Sequence, residues 1–394
     1  MKPIGYCANV HPGRNVAQLR ESLSGPMASV ARGLHQGTLA VSLWLSAETI
    51  RELSEQPNLA TRLRDQAKDF GISFVAINAF PYGNFHAQRV KLAVYQPNWI
   101  DGRRAHYTLA VAELVPLLVA SDTDHVSIST LPLGWRAEFC TSASGASVGI
   151  ACTALEHIAS RLHAIEKSTG LHITLDIEPE PGCAIETSEE LVGFFSHCLP
   201  TKTRTSVDVR RYIGACVDVC HGAVMGEPPY EFFERCIKAG VSINRIQLSS
   251  AIKGTNSAHD LAALAQFDEP RYLHQVVSGF GAGRRMWDDI PNFLVDANPN
   301  TSDQHWRCHW HVPIHHAMIN GLETTSNAIT SALEAAMRLP NTPLIEVETY
   351  AWTQLPHMDR VSTHTEMTEG IVQEIRYAQA CAIASQSTGD HSQV

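Results

Sequence analysis

Residues 173–178, Ile173-Thr174-Leu175-Asp176-Ile177-Glu178, form a short run of aliphatic and β-branched residues that ends at Pro179. A run of this length and composition, closed by a proline, predicts a β-strand. A helical pattern of apolar residues precedes it over 155–165, and Thr187-Ser188-Glu189-Glu190 is a capping box that predicts the next helix. The stretch therefore predicts a helix–strand–helix repeat, the unit from which parallel sheets are built.

The same alternation extends in both directions along the chain. The predicted strands span residues 4–10, 39–45, 74–80, 126–131, 173–178, 212–218, 245–249 and 344–349. Eight such repeats over about 350 residues favour a closed (β/α)8 TIM barrel over an open doubly wound sheet. No linker divides the chain, so we expect one α/β domain over 1–386 and a disordered tail over 387–394. Residues 250–320 are too many for a simple loop and predict a long insertion between strands 7 and 8.

Composition narrows the class of function. The 394 residues carry a formal net charge of −10 and show no basic stripe, which argues against a nucleic-acid partner. We expect no signal peptide and no membrane span, because no apolar run is long enough. The ten cysteines are scattered without a CxxC pair, so free thiols in a cytoplasmic protein are expected. The expected partner is a small-molecule substrate; the sequence does not determine the oligomeric state.

Polar residues gather where the predicted strands end. In a (β/α)8 barrel these ends meet on one face, where the active site lies. Side chains that could ligate a metal occur there or in the insertion: Glu178, Asp218, His221, Gln247, His309, His311 and Glu348. His309 and His311 belong to a group of five histidines within 305–316 and share one face of an extended chain. By contrast, we interpret Glu180 and Glu346 as helix caps or ion-pair partners.

This order of ligands resembles the xylose isomerase-like TIM barrels, which include sugar epimerases and the endonuclease IV family. The resemblance covers about residues 4–350. It matches Glu178 and Glu348 to the glutamate ligands of strands five and eight, and Asp218-Val219-Cys220-His221 to the Asp-x-x-His element. Gln247 stands where the family usually has histidine, and His309 where endonuclease-like members have aspartate. The change at 309 implies a three-imidazole set suited to zinc. Strand four has no histidine, so a three-zinc endonuclease site is not expected.

Three peptides are more closely similar to the metabolite traffic protein EboE group. They are Tyr6-Cys7-Ala8-Asn9-Val10-His11-Pro12-Gly13, Asn78-Ala79-Phe80-Pro81-Tyr82-Gly83-Asn84-Phe85-His86 and Glu178-Pro179-Glu180-Pro181-Gly182. That group is associated with bacterial gene clusters that make or move a secondary metabolite, so this resemblance implies a metabolite of that kind.

The leading hypothesis is a divalent-metal-dependent isomerase or epimerase of a sugar- or polyol-like metabolite. Glu178 and Glu348 would move a proton, and one or two ions, zinc first and manganese or magnesium as alternatives, would stabilise the charge that develops. Two alternatives remain open: a zinc-dependent hydrolase of a phosphate ester, and a non-catalytic protein that binds and carries a metabolite. The candidate substrate-binding residues are Asn9, His11, His86, Lys253 and Trp352.

Overall fold

A computed structural model describes residues 3–35, 37–139, 145–279, 281–301, 304–356 and 364–389. Its strands, in chain order, are β1 (Gly5–Cys7), β2 (Leu39–Trp44), β3 (Ile72–Asn78), β4 (His125–Thr130), β5 (His172–Ile177), β6 (Ile213–Asp218), β7 (Ile243–Leu248), β8 (Ser250–Thr255), β9 (Val276–Ser278), β10 (Arg285–Trp287), β11 (His305–Val312), β12 (Met318–Ile319), β13 (Leu322–Thr324) and β14 (Leu344–Val347). Eight of them form a closed parallel barrel in the order β1-β14-β7-β6-β5-β4-β3-β2.

Most helices in the described ranges follow barrel strands, and two lie in the insertion between β7 and β14. In chain order they are α1 (Val16–Ser22), α2 (Ala28–Leu34), α3 (Ala47–Glu55), α4 (Asn58–Asp69), α5 (Gly102–Leu118), α6 (Arg136–Phe139), α7 (Ala146–Thr169), α8 (Ser188–His197), α9 (Val219–Met225), α10 (Pro229–Ala239), α11 (Ala258–Ala265), α12 (Ile290–Asp296), α13 (Asn327–Ala336) and α14 (His364–Gly389). Among the described helices, none combines the length and the apolarity that crossing a bilayer requires.

The predicted fold class is confirmed: all eight predicted strands are barrel strands, with ends shifted by a few residues. Two regions differ from the sequence-based expectation. The insertion is itself a six-stranded antiparallel sheet, in the order β10-β9-β11-β8-β13-β12. The last helix continues to Gly389, past the predicted start of a disordered tail at 387, and residues 390–394 lie outside the described residues.

The barrel interior contains polar side chains, although its strands are predominantly apolar. Asp176 on β5 accepts hydrogen bonds from Ser127 (2.6 Å) and Asn244 (2.7 Å), on β4 and β7. Because side chains alternate along a strand, Leu175 and Ile177 point outward to the helices, where they are fully buried. The outward-facing side chains of each strand thus pack against the helices, and the inward-facing side chains can place polar groups inside the barrel.

An ion pair lies in the same interior. Arg245 on β7 donates from Nε to Glu346 Oε1 (2.9 Å) and from Nη1 to the Ile77 carbonyl (3.0 Å), and Ser42 also donates to Glu346. Arg245 and Glu346 are at most 1% exposed. Glu346 is therefore an ion-pair partner, as the sequence indicated.

The insertion begins without a break, since only Ser249 separates β7 from β8. Strand β11 pairs with β8, but the register shifts between Cys308 and Val312, so that residues 309–311 face Ala251 alone. Such bulges commonly redirect side chains beside active sites. Here the irregularity falls on the two histidines that the sequence singled out.

Candidate metal centre

Three carboxylates lie together at the carboxyl-terminal ends of the barrel strands. Glu178 follows β5, Asp218 ends β6 and Glu348 follows β14. One oxygen of each lies within 4.8 Å of the others, and all three residues are buried. We call this group the carboxylate centre; its members come from strands distant in sequence and adjacent only in the closed barrel.

Each carboxylate at this centre has an oxygen with no hydrogen-bond partner among the described residues. Asp218 Oδ1 accepts from the His221 backbone N–H (3.0 Å), capping α9, and from Ser249 Oγ (2.7 Å). Glu348 Oε1 accepts from Asn9 Nδ2 (2.7 Å). Asp218 Oδ2, Glu348 Oε2 and Glu178 Oε2 are buried without a partner. Buried carboxylate oxygens are normally satisfied, so these three indicate a place for a cation.

The charges at the carboxylate centre repel one another. Burial raises the pKa of Glu178 well above its ordinary value, and the neighbouring Glu348 and Asp218 raise it further. Burial likewise raises the pKa of Glu348, with Asp218 and Glu346 adding to the effect. A divalent cation among them would remove both penalties, because it replaces repulsion with attraction.

Three histidines beside this centre are oriented by hydrogen bonds from Nδ1. The acceptors are Pro179 O for His221 (2.9 Å), Glu348 O for His311 (3.0 Å) and Gln275 Oε1 for His309 (2.7 Å). Carbonyl oxygens only accept, so each Nδ1 carries the proton and each Nε2 keeps a free electron pair. Burial lowers the pKa of His311 to about 4 and that of His309 well below its ordinary value. Neutral imidazoles held in this way are typical metal ligands.

Asp218 connects the histidines to the carboxylates. His221 Nε2 lies 3.9 Å from Asp218 Oδ1, and His311 Nε2 lies 3.9 Å from Asp218 Oδ2. These separations are too long for hydrogen bonds, but a zinc ion at roughly 2.0–2.2 Å from each atom would span them. We call Asp218, His221, His311 and the adjacent His309, whose ring centroid lies 4.6 Å from that of His221, the imidazole centre.

The expected set of three imidazoles differs in detail from what the fold assembles. The described groups with mutually close ligand atoms contain the histidines in pairs: His221 with His311 beside Asp218, His221 with His309 beside Glu180, and His309 with His311 beside Cys220. The three rings lie close together, with centroids 4.6, 5.6 and 5.2 Å apart, but each group completes its set with a carboxylate or a thiol rather than with a third imidazole.

Glu180, which we interpreted from the sequence as a helix cap or ion-pair partner, lies among the residues of the cleft. It lines the same cleft as Glu178 and is 5% exposed. Its Oε1 accepts from the Tyr95 hydroxyl (2.7 Å), which in turn accepts from Gln275 Nε2 (2.9 Å). Burial raises the pKa of Glu180 to about 7, against the opposing effect of His221. The flanking Pro179 and Pro181 thus do not remove it from the site.

Gln247 lies below the candidate ligands. Its Oε1 accepts from Cys216 Sγ (3.2 Å), and its Nε2 has no partner among the described residues. The residue is fully buried and does not line the cleft. Since the amide oxygen is already engaged, the geometry does not favour Gln247 as a ligand.

Of the five candidate substrate-binding residues, only Asn9 lines the cleft. His86 and His11 lie behind it: His86 Nε2 is 2.8 Å from the Asn9 carbonyl, and His11 Nε2 is 3.1 Å from the Tyr6 hydroxyl. Both help to hold the loop that carries Asn9.

Lys253 and Trp352 lie outside the lining of the cleft, contrary to expectation. Lys253 is on the insertion sheet, where its ammonium pairs with Glu323 (3.0 Å). Trp352 donates from Nε1 to Glu374 (2.8 Å), which also accepts from Thr349. Both positions follow a strand in the sequence, but the first is carried away by the sheet and the second is part of the packing against α14.

Both centres open into one cleft. Sequence reasoning missed several of the residues around it: Asn78, Tyr95, Glu180, Tyr272, Gln275 and Tyr350. Asn78 ends β3 and was available as a signal. Tyr272 and Gln275 lie in the insertion, where no periodic pattern indicated which residues face inward.

Neither a protein-family model nor a curated protein sequence matches the chain. Solved structures do match its fold. One is a xylose isomerase-like TIM barrel protein from Mycobacterium smegmatis in complex with magnesium, with a TM-score of 0.51, 10% identity and coverage of 96% of this chain and 97% of that one. Another is a D-tagatose 3-epimerase-like protein, with a TM-score of 0.50, 12% identity and coverage of 96% and 98%. The chain thus has the fold of the xylose isomerase-like TIM barrels.

Proposed function

We propose that the protein is a divalent-metal-dependent isomerase or epimerase of a small metabolite that carries neighbouring oxygen atoms. The observation that carries the proposal is the carboxylate centre, where Glu178, Asp218 and Glu348 each present a buried oxygen that no described residue hydrogen-bonds. Three such oxygens at the floor of a cleft, on the face where barrel enzymes act, suit a cation and the substrate oxygens that it would bind.

Glu178 and Glu348 are placed to move a proton. They follow β5 and β14, which β6 and β7 separate in the barrel, so they approach the floor from different sides. The hydrogen bond from Asn9 to Oε1 fixes the orientation of the Glu348 carboxylate. A divalent ion, when bound, supplies the charge that stabilises negative charge developing on substrate oxygens. One glutamate then takes the proton and the other returns it.

The donor set bears on the metal. The carboxylate centre offers oxygen atoms alone, which suit magnesium or manganese, and the imidazole centre adds nitrogen atoms, which favour zinc. Asp218 belongs to both centres and therefore couples them. We propose that the protein binds one ion at the carboxylate centre and, when the metal supplied is zinc, a second ion at the imidazole centre.

A second candidate function follows from the position of Asp218 in both centres. Two ions on either side of Asp218 would suit hydrolysis of a phosphate ester, for which paired metals are a common solution. The resemblance to the EboE group in three peptides supports instead a secondary metabolite as ligand, either transformed or only bound and carried. We propose the isomerase because the two glutamates with free oxygens face one floor.

Exchange of a substrate C–H hydrogen for deuterium from the solvent tests the proposal directly. Metal-loaded protein is incubated in D2O with a panel of α-hydroxy aldehydes and ketones, both free sugars and compounds that carry alkyl or aryl groups, and NMR follows deuterium at the carbon beside the carbonyl. We expect exchange that is lost in Glu178→Gln and Glu348→Gln and kept in Glu323→Gln, a matched control on the insertion sheet. Full turnover by Glu178→Gln would contradict the assignment. Hydrolysis of bis(p-nitrophenyl) phosphate without any exchange would favour the phosphoesterase.

A further inference from the structure

The cleft has two chemically different parts. Its floor consists of the carboxylate and imidazole centres at the strand ends. Its wall comes from the loop over residues 79–101, which follows β3, and from residues 272–273, which precede β9. The wall carries no ligand of either centre, so its composition reports on the remainder of the substrate.

Polar side chains in the wall are engaged by the protein itself. The Lys91 ammonium donates to Asp289 (2.6 Å) and to the Glu269 carbonyl (3.0 Å). The Tyr95 hydroxyl donates to Glu180 and accepts from Gln275. These groups hold the loop to the insertion sheet, and their hydrogen-bonding capacity is largely used before a ligand arrives.

Apart from the Tyr272 hydroxyl, the remaining wall is apolar. It is formed by Phe80, Pro81, Phe85, Val90, Val94 and Leu273. Phe85 is fixed by ring contacts with Tyr272 (centroids 4.9 Å apart) and Tyr350 (5.3 Å). A free sugar placed here would turn hydroxyl groups against apolar side chains and lose their hydrogen bonds to water. An apolar group would instead gain by leaving water.

We infer that the substrate is amphipathic: an oxygen-bearing head, with neighbouring oxygens, binds at the floor, and an apolar alkyl, alkenyl or aryl body lies against the wall. The inference rests on the proposed function for the head, and on the wall alone for the body. It distinguishes this cleft from a site for a free, fully hydroxylated sugar, which would need donors and acceptors along its whole length.

Two compounds that share a vicinal diol group and differ in the length of their alkyl chain test the inference. Ligand-observed NMR titrations compare 1,2-hexanediol with 1,2-propanediol on zinc-loaded protein. The hexanediol is expected to bind roughly tenfold or more tightly, because burying its three extra methylenes is favourable. Val94→Asn and Leu273→Asn, both at half-buried positions of the wall, should reduce that preference at least about threefold. Val295→Asn, at an 85% exposed position on α12, is the control and should preserve it.

The outcomes separate this inference from the proposed function. Equal affinities, no binding of the hexanediol, or a preference unchanged in both wall variants overturns the amphipathic substrate. The metal content of the same samples is measured in parallel. A protein that takes up no ion refutes the metal-dependent function, while the chain-length preference, measured on that same protein, still decides whether the wall binds an apolar body.

Discussion

Two layers of carboxylates inside one barrel differ sharply in their surroundings. On β14, Glu346 is paired with Arg245 and accepts from Ser42. Two residues later Glu348 is equally buried, yet its Oε2 has no partner among the described residues. On β5, Asp176 accepts from Ser127, Thr174 and Asn244, whereas Oε2 of Glu178, just after the strand, has no partner in the part of the chain that the structure describes.

The comparison separates structural charge from charge held for a ligand. The lower layer carries its own cation and donors, so it is complete in the folded chain. The upper layer places three carboxylates together without a cation among the described residues, a costly arrangement that an ion would relieve. Four predictions follow the difference between the layers.

The largest effect is expected from Arg245→Met in the lower layer. Removing one partner leaves Glu346 as an uncompensated buried charge, which costs about 3–5 kcal/mol of the free energy of unfolding. Urea denaturation measures this loss. Adding Glu346→Leu should restore most of it, and Arg103→Met, which removes an exposed pair, should leave the midpoint unchanged. A loss below about 1 kcal/mol in the single variant would mean that the lower layer does not depend on its cation.

Asp218→Asn should abolish tight metal binding, because Asp218 belongs to both centres. Even the loss of a residue that only orients a ligand costs about 10–100-fold in affinity, so we expect a decrease of more than about 100-fold. Chelator competition and mass spectrometry of bound metal measure it. Asp176→Asn makes the same change in the lower layer and should keep its metal while losing stability. Equal metal loss in the two variants would contradict the claim that only the upper layer binds the metal.

Gln275→Leu should weaken zinc binding where His309 takes part, by about 10–100-fold, since the His309 Nδ1–H would lose the acceptor that orients the ring. Affinity for manganese, which we assign to the carboxylates, should change little. Two-metal titrations followed by calorimetry measure both affinities. A parallel loss of both metals would show that Gln275 acts on the fold rather than on one ligand.

The smallest and most graded effect concerns pH. Burial and mutual repulsion raise the pKa values of Glu178 and Glu348, so protons compete with the ion at these carboxylates. Affinity should therefore fall as pH is lowered, by up to about tenfold per pH unit for each displaced proton. His311, with a pKa lowered to about 4, stays neutral above pH 5 and does not contribute. Calorimetry in buffers of different ionisation enthalpy counts the protons released; none released between pH 5 and 7 would contradict the prediction.

The barrel could be predicted because eight apolar strands alternate with amphipathic helices, a pattern that packing against helices requires. The insertion sheet could not be predicted in the same way. Its strands β9, β10, β12 and β13 have only two or three residues, too few to show a period of two. Their pairing depends on β8 and β11, which lie far apart in the sequence.

The candidate ligands were predictable for the same topological reason, since strand ends meet at one face. The surroundings of those ligands were not. Glu180 lines the cleft although it lies between two prolines. Gln275 hydrogen-bonds His309 from a part of the insertion whose sequence shows no hydrophobic periodicity. Lys253 and Trp352 show the converse: a position just after a strand does not fix the direction of a side chain.

The central claim is that an ion belongs among Glu178, Asp218 and Glu348. Anomalous diffraction from crystals grown with manganese, recorded at the manganese absorption edge, locates the ion directly. We predict a peak within bonding distance of Glu178 Oε2, Asp218 Oδ2 and Glu348 Oε2, the three carboxylate oxygens left without a partner by the described residues. A fully occupied peak elsewhere, with ordered carboxylates and no density among them, would contradict the claim.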